Sequence, residues 1–493
     1  MLGEGDLAGL AAAVPVSVQR RSLQLLPLAL VSRGVAFTVP IFLAQWYGVS
    51  ADMDAFYYAL GIPTLLLVVG SSAVGSVLVP ALARVRGTGD DREGGALLGS
   101  AAGWAGLSAV ALGALLATVL PQVLALISEF TPATIAETQR FCFELLPFLG
   151  CVAAAGALRS GVEIQARFLW STTSPLLRTA ALLTVAVALR REGPLGLPVA
   201  MFVGAVVEML WLTLGLWRTP LRPTPTVWPA ALGPALARFG PVLIGETLVA
   251  LNVVVDKVFA ALLPEGSVSL LEYADRARVI PMTLFEASLL VVAFNSWAVV
   301  PAAERASEVR RALRWVLLIV PPVLGGLYVG RNVAISLLFE RGAFTPDHTV
   351  AVAAAFGTFL PGVLSAMLAG LAVKAHLLAD RARLVLVYGL TSFALNIVFD
   401  VALLRYGIAG LALGTSLTSM IVAAISLRRL AGDLPTGRSW WKPGLLAGSS
   451  LALAAGAAVS GVAPASMIDG RLWAVAVPFV GLLVVGLTEA RRS

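Results

Sequence analysis

The run TSFALNIVFDVALL, residues 391–404, sets an amide and a carboxylate, Asn396 and Asp400, into an otherwise apolar stretch. Four residues apart on a helix, they share one face. A carboxylate in hydrocarbon costs about 3 kcal/mol or more unless something compensates it. Asp400 therefore calls for a cation, a proton or a basic side chain. Arg33 poses the opposite problem, lying about ten residues inside an apolar run over 23–46. That is too deep for its guanidinium to reach the interface easily. An arginine there suits a phosphate, which its planar fork can grip with two hydrogen bonds. Charged residues inside membrane spans are the default functional candidates. The others are Glu144, Glu208, Glu246, Asp256 with Lys257, Arg276, Arg278 and Glu286. The plain reading of Glu144, Glu208 and Glu286 is a buried ion pair or an end-of-helix side chain, and Arg278 is expected to snorkel. Enzyme chemistry is not expected. There is no GxxxxGK[ST] phosphate loop, and His348 and His376 are far apart. Cys142 and Cys151, nine apart on one expected helix, point in different directions and should not pair.

The elements that carry these residues follow from composition. Of 493 residues, 58% are hydrophobic and 13% charged, with mean hydropathy +0.89. No soluble globular chain hides that much apolar surface, so the fold class is an all-α integral membrane protein. At about 20 apolar residues per span, fourteen helices are expected: 23–46, 54–82, 96–125, 138–158, 168–189, 195–217, 237–261, 272–300, 311–329, 350–376, 383–404, 407–427, 443–462 and 471–489. Pro63, Pro80, Pro147 and Pro281 should bend or end their helices. The net charge of +7 is mostly arginine in short loops, such as RVRGTGDDRE (84–93) and ERASEVRRALR (304–314). That fits orientation by positive charge rather than nucleic-acid binding, and places both termini in the cytoplasm. Residues 1–22 hold Glu4 and Asp6 and no clean apolar core, so no cleavable signal is expected.

The chain also repeats itself. GVSADMDAFYYALGIP (48–63) aligns with GSVSLLEYADRARVIP (266–281), which pairs Gly48 with Gly266 and Asp54 with Glu272 at an offset of 218. FTP at 130–132 matches FTP at 344–346, and GPLGL at 193–197 matches GIAGL at 407–411, both offset by 214. The unit covers six spans, so the halves should run parallel and be related by a pseudo-twofold along the membrane normal. The expected division is a cytoplasmic N-terminus over 1–22, a first lobe over 23–217, a second over 218–430, and two further spans with a cytoplasmic C-terminus over 431–493. Two facing six-helix bundles are a transporter plan, with substrate held between halves that rock to give alternating access.

Four segments, LVSRGVAFTVPIFLAQWYGVSADMDAFYYALGIPTLL, LPEGSVSLLEYADRARVIP, LLFERGAFTPDHT and LNIVFDVALLRYGIAGLALGTSLTS, occur in one order. In them the chain resembles the MurJ/MviN family of lipid II flippases, within the wider group of multidrug and oligosaccharidyl-lipid exporters. The resemblance implies two lobes around a cationic cavity. It also implies movement of an undecaprenyl-pyrophosphate-linked cell-wall precursor from the inner to the outer leaflet of the bacterial cytoplasmic membrane. Residue by residue, it implies that Arg33, Asp54 and Arg276 form the substrate site, with the arginines on the pyrophosphate. It implies a Na⁺ site of Asp256, Asn396, Asp400 and Thr415, a set of hard oxygen donors suited to a hard cation. No other cofactor is implied. The pattern departs at Val39–Pro40 and Leu67–Val68, where the family carries further cavity residues including arginines.

Three rival readings remain at this point. One is a flippase for another lipid-linked oligosaccharide, of exopolysaccharide or O-antigen kind, which the missing arginines favour. One is a cation-coupled drug exporter, against which Arg33 argues. The third is a non-transporting membrane scaffold for glycan synthesis, in contact with the cell-wall machinery.

Overall fold

The computed structural model describes residues 16–87, 89–233, 251–252, 254–285, 302–379 and 381–433. Among them there are helices, turns and no strand. The helices are α1 (Val16–Tyr47), α2 (Ala51–Gly87), α3 (Asp91–Ile127), α4 (Pro132–Glu144), α5 (Leu146–Ile164), α6 (Phe168–Leu189), α7 (Gly196–Leu216), α8 (Ser267–Phe285), α9 (Ala302–Val329), α10 (Arg331–Phe339), α11 (Pro346–Leu378), α12 (Ala382–Leu403) and α13 (Gly407–Asp433). Residues 254–260 are also helical. Six continuous stretches of the described residues are long and apolar enough to cross a membrane; three of these, Pro132–Ile164, Phe168–Leu216 and Arg383–Leu430, each hold two helices. The expected spans at 443–462 and 471–489, together with Glu246 and Glu286, lie outside the described residues.

The chain divides into two compact units, Pro15–Ser269 with Arg341–Phe344, and Leu270–Glu340 with the chain from Thr345 onward. In the first unit α6 packs on α7 and α1, and α5 on α3, α2 and α7. Leu82, Leu97, Leu98, Leu158, Val162, Leu212 and Leu216 fill its core. Small residues let α3 and α5 approach closely: a Cβ on Gly106 would lie 3.0 Å from the Gly150 carbonyl, and one on Gly150 would lie 2.8 Å from Val110. In the second unit α11 packs against α13 and α9, and α12 against α13.

The internal repeat carries through to backbone conformation. Gly48 and Gly266 both take positive φ, at 62° and 94°, and so do Gly193 and Gly407, at 70° and 65°. Gly193 lies inside a short 3₁₀ turn between two helices, Arg190–Leu195, and Gly407 directly follows another, Leu404–Tyr406. Thr131 caps α4, its Oγ1 accepting from the Thr134 N–H at 3.2 Å, with Pro132 in the first turn. Thr345 stands in the same place before Pro346 of α11 and accepts from the His348 N–H at 3.5 Å.

The prolines behave differently from one another. The fourth expected span is broken at Leu145, and Pro147 sits in the first turn of α5, where its missing N–H costs nothing. Pro63, Pro80 and Pro281 lie inside continuous helices, so of the two expected outcomes, bending or ending, they do not end them. Hydroxyls bond back to carbonyls near two of them, Thr64 Oγ1 to Leu60 O at 2.8 Å and Thr283 Oγ1 to Ile280 O at 2.9 Å, while the carbonyls the prolines leave without an intrahelical donor are those of Ala59 and Ala277. The sequence reading also passed over α10, a helix of nine residues. Neither cysteine is in a disulfide.

Gly48 has no room for a side chain. A Cβ there would run into the Ala343 carbonyl, and the positive φ disfavours any L-residue. Gly48→Ala should therefore lose about 1 kcal/mol or more of stability. Gly370→Ala, on α11 with nothing within 4 Å of the added carbon, should lose none. Thermal unfolding of the two purified variants in detergent checks the contrast.

Candidate functional site

The charged residues singled out by sequence fall into the two units separately. In the first, Arg33 lies within α1, exposed. Asp54, in the first turn of α2, is 0% exposed. Its Oδ2 accepts from the Gly266 N–H at 2.6 Å and its Oδ1 from the Ser269 N–H at 2.7 Å. The start of α8 needs such an acceptor, because the first N–H groups of a helix have no partner within it. A carboxylate also sits favourably in the positive end of the helix dipole. One turn further along α2, the Tyr57 carbonyl accepts from Lys257 Nζ at 2.8 Å, with the lysine buried. Asp256, beside it, is half-buried in this same unit.

A further charged group joins three helices of the first unit. Glu208 of α7 has a side chain only 1% exposed. Its Oε1 accepts from Arg159 Nη2 of α5 and from Ser174 Oγ of α6, the latter at 3.1 Å. Its Oε2 accepts from Arg178 Nη1 of α6 at 2.9 Å. Of the two plain readings of Glu208, the buried ion pair is the one found. The sequence reading missed both partners. Arg159 lies one residue beyond the span expected to end at 158. Arg178 stands mid-span between two apolar runs, and its depth alone could have flagged it. Glu144 instead accepts from Arg140 Nε at 2.9 Å, one turn away and part-exposed.

In the second unit, Glu272 of α8 is buried and Arg276 pairs with it one turn on, Nη2 to Oε1 at 2.6 Å and Nε to Oε1 at 2.9 Å. The arginine remains 40% exposed. Arg278 does not snorkel away from the bundle. It pairs with Asp275 at 2.5 Å and its guanidinium lies 4.5 Å from the centre of the Phe359 ring. Burying the flat guanidinium face on an aromatic ring competes with reaching for water.

Asn396 and Asp400 do share a face of α12. Asp400 is 0% exposed, and Asn396 Nδ2 donates to its Oδ2 at 3.1 Å. The facing backbone of α13 comes close enough that a Cβ on Gly414 would lie 2.9 Å from Asp400 Oδ1. Thr415 follows, half-buried, its Oγ1 donating to Leu411 O at 3.2 Å. The Asn396 amide turns its Nδ2 toward the carboxylate and the Thr415 hydroxyl donates to its own helix, so a cation held here would need the Asn396 oxygen turned toward Asp400. Asp256 belongs to the other unit. Among the described residues no group of three or more His, Cys, Asp or Glu could hold a metal ion, so such a site relies on the amide and hydroxyl.

An all-helical membrane protein built from two repeated units, with charges set inside its spans, is a transporter by class. The chain belongs to the lipid II flippase MurJ family, whose sequence profile matches residues 43–475. A probable lipid II flippase MurJ of Vibrio cholerae is 24% identical over 437 residues, covering 82% of this chain and 81% of its own. Its counterpart from Haemophilus influenzae is also 24% identical, over 436 residues, covering 82% of this chain and 84% of its own. Among solved structures, lipid II flippase MurJ in an inward closed conformation superposes with TM-score 0.80 at 19% identity, covering 95% of this chain and 99% of that one. An inward-facing multidrug resistance MATE transporter gives TM-score 0.61 at 14% identity, covering 80% of this chain and 98% of that one. At such identities the structural likeness speaks to the fold.

Replacing Asp54 strands two buried N–H groups at the start of α8. Asp54→Ala should destabilise the chain by about 2 kcal/mol or more, with Asp54→Asn, which keeps one acceptor oxygen, falling between. Unfolding midpoints in detergent measure this, and an unchanged midpoint for Asp54→Ala would remove the carboxylate from the stability of α8.

Proposed function

We propose that the chain moves lipid II, the undecaprenyl-pyrophosphate-linked peptidoglycan precursor, from the cytoplasmic to the outer leaflet of the bacterial inner membrane. The family match across residues 43–475 carries this reading, and the repeated fold supports it. Fourteen spans with both termini in the cytoplasm complete the picture, as the length and distribution of apolar runs and of arginine-rich loops suggest. Arg33 and Arg276 grip the pyrophosphate. Each guanidinium can offer two parallel N–H donors to phosphate oxygens, and Glu272 holds Arg276 in place from the buried side. Asp54 supports this site by fixing the start of α8, the helix that carries Arg276. The two lobes then expose the site to one leaflet and the other in turn. The cell-wall synthesis machinery is the expected partner on the receiving side.

For coupling, Asp256, Asn396, Asp400 and Thr415 would hold Na⁺. A bound Na⁺ supplies positive charge against Asp256 and Asp400. The protein's part is to keep Asp400 buried against α13 and to turn the Asn396 oxygen and the Thr415 hydroxyl lone pairs inward.

Complementation tests the transport reading. In a host depleted of its own lipid II flippase, the chain should restore survival and outer-leaflet lipid II, and Arg33→Ala should lose both. Failure to rescue by protein shown to be folded in the membrane would move the substrate to another lipid-linked glycan. Sodium is tested separately. Na⁺ should raise the unfolding midpoint of the purified chain relative to K⁺ at equal ionic strength, and Asp400→Ala should abolish the difference. If Asp400→Ala leaves both transport and the sodium effect unchanged, the cation site is wrong.

A further inference from the structure

We propose that Arg159 and Arg178, bridged by Glu208, form an additional binding site in the first unit for the pyrophosphate group of the lipid carrier. The proposal rests on the reading of the chain as a mover of a pyrophosphate-linked lipid, and deepens it by naming a second contact.

The depth of the cluster makes the case. Arg178 is the eleventh of the 22 residues of α6, which at 1.5 Å per residue places it about 15 Å from either end of the helix. An arginine there cannot snorkel to the headgroups. Charged side chains at that depth face the bundle interior or a water-filled cavity, because lipid tails offer them nothing. Yet the side chains of Arg159 and Arg178 are 35% and 32% exposed, while Glu208 is 1% exposed. The carboxylate is the closed side of the cluster and the two guanidiniums are its open side. That open side must be hydrated or occupied by a polar ligand.

The charge count points the same way. Two guanidinium charges meet one carboxylate, which leaves a surplus of one positive charge in the cluster. Among the described residues no second carboxylate pairs with either arginine. Glu163, the other acid at hand on α5, accepts from Ser171 Oγ at 3.2 Å near the helix end. Donors are in surplus as well. A guanidinium carries five N–H groups, of which Arg159 uses Nη2 on Glu208 and Ser174 and Arg178 uses Nη1 on Glu208, while Arg159 Nε is buried and not offered on the open side. Both Glu208 oxygens and the Ser174 hydroxyl are already engaged, and they fix the two forks in place. Two fixed guanidiniums with donors to spare and one unmatched positive charge match an anion with several oxygens. A pyrophosphate can accept from both forks at once. In this scheme Arg159 and Arg178 touch the ligand, and Glu208 is a positioning residue.

The test uses the purified full chain in detergent, with undecaprenyl pyrophosphate as probe and binding read from the shift of the unfolding midpoint across a titration. Inorganic pyrophosphate and phosphatidylglycerol are the two comparison ligands. Undecaprenyl pyrophosphate should stabilise the chain, inorganic pyrophosphate should compete, and phosphatidylglycerol should do neither. Arg159→Gln and Arg178→Gln should each weaken the affinity about tenfold or more, and Arg178→Lys, which keeps the charge but loses the fork, should recover part of it. Two results overturn the proposal: variants that lower the unfolding midpoint but bind as the original chain does, which makes the cluster a brace between helices, or equal stabilisation by phosphatidylglycerol, which makes it a general headgroup site. No stabilisation by undecaprenyl pyrophosphate also overturns it. Complementation separates this from the transport reading. Rescue that survives Arg178→Gln in a chain with unchanged affinity sinks the second contact and leaves lipid II transport standing. Cluster-dependent binding without rescue keeps the contact and changes the glycan.

Discussion

A carboxylate placed among apolar helices must be met by donors or by positive charge, since breaking such a contact leaves an ion where water cannot reach it. The chain meets this demand in four ways. Asp54 takes two backbone N–H groups at the start of α8. Glu208 takes two arginines and a serine hydroxyl. Glu272 takes the arginine one turn along its own helix. Asp400 has the amide of Asn396 on its own helix and the backbone of α13 close by. The consequences differ. Asp54 and Glu208 tie separate segments together, so their burial specifies how those segments pack. Glu272 acts locally and specifies where one guanidinium points. Asp400 presents oxygen at a close approach between α12 and α13.

The repeat shows the same constraint acting on the backbone. A chain that turns back into an apolar layer has to satisfy its helix ends with few residues. Both halves use a threonine before a proline to open a helix, at Thr131 and Thr345. Both use a glycine of positive φ in or directly after a 3₁₀ turn to join two spans, at Gly193 and Gly407. Side-chain chemistry has diverged where the backbone has not. Asp54 and Glu272 occupy matching positions and both are buried, yet one binds main-chain N–H groups and the other an arginine. Turn geometry is fixed by sterics at single residues, whereas a buried acid tolerates any adequate partner.

That difference explains what was legible in the sequence. Apolar runs place α6 at its expected bounds of 168–189, and α12 within one residue of its expected 383–404, because both helices are bounded by short turns. The pairing of Asn396 with Asp400 follows from helical period alone. Interruptions were harder. The break at Leu145 falls beside Pro147, where the sequence announces one, but Pro63 and Pro281 look the same in sequence and lie inside continuous helices. Partners from distant segments were hardest of all. Gly266 and Ser269 lie more than 200 positions from Asp54, and Arg178 lies 30 from Glu208. A buried acid in a sequence announces that it needs a partner without saying which.

At Glu208 and at Glu272 the acid is the buried member of its pair with arginine, whereas in the Arg278–Asp275 pair the arginine is the less exposed member. Glu208 is 1% exposed against about a third for its arginines, and Glu272 is 7% exposed against 40% for Arg276. The order could have been reversed at equal Coulomb energy, with the guanidinium packed inside and the carboxylate at the surface. A reversed order would offer accepting, negative groups to whatever enters, which suits a cationic drug. The order found offers donors and positive charge. Guanidinium is also the more weakly hydrated ion, so it gives up water to a phosphate at lower cost than an ammonium would. The anchoring acid limits how far each guanidinium can swing, and so reduces the entropy lost when an anion is bound. At these two clusters the exposed charge is positive, which favours an anionic cargo, and the buried acids are what keep that charge in place.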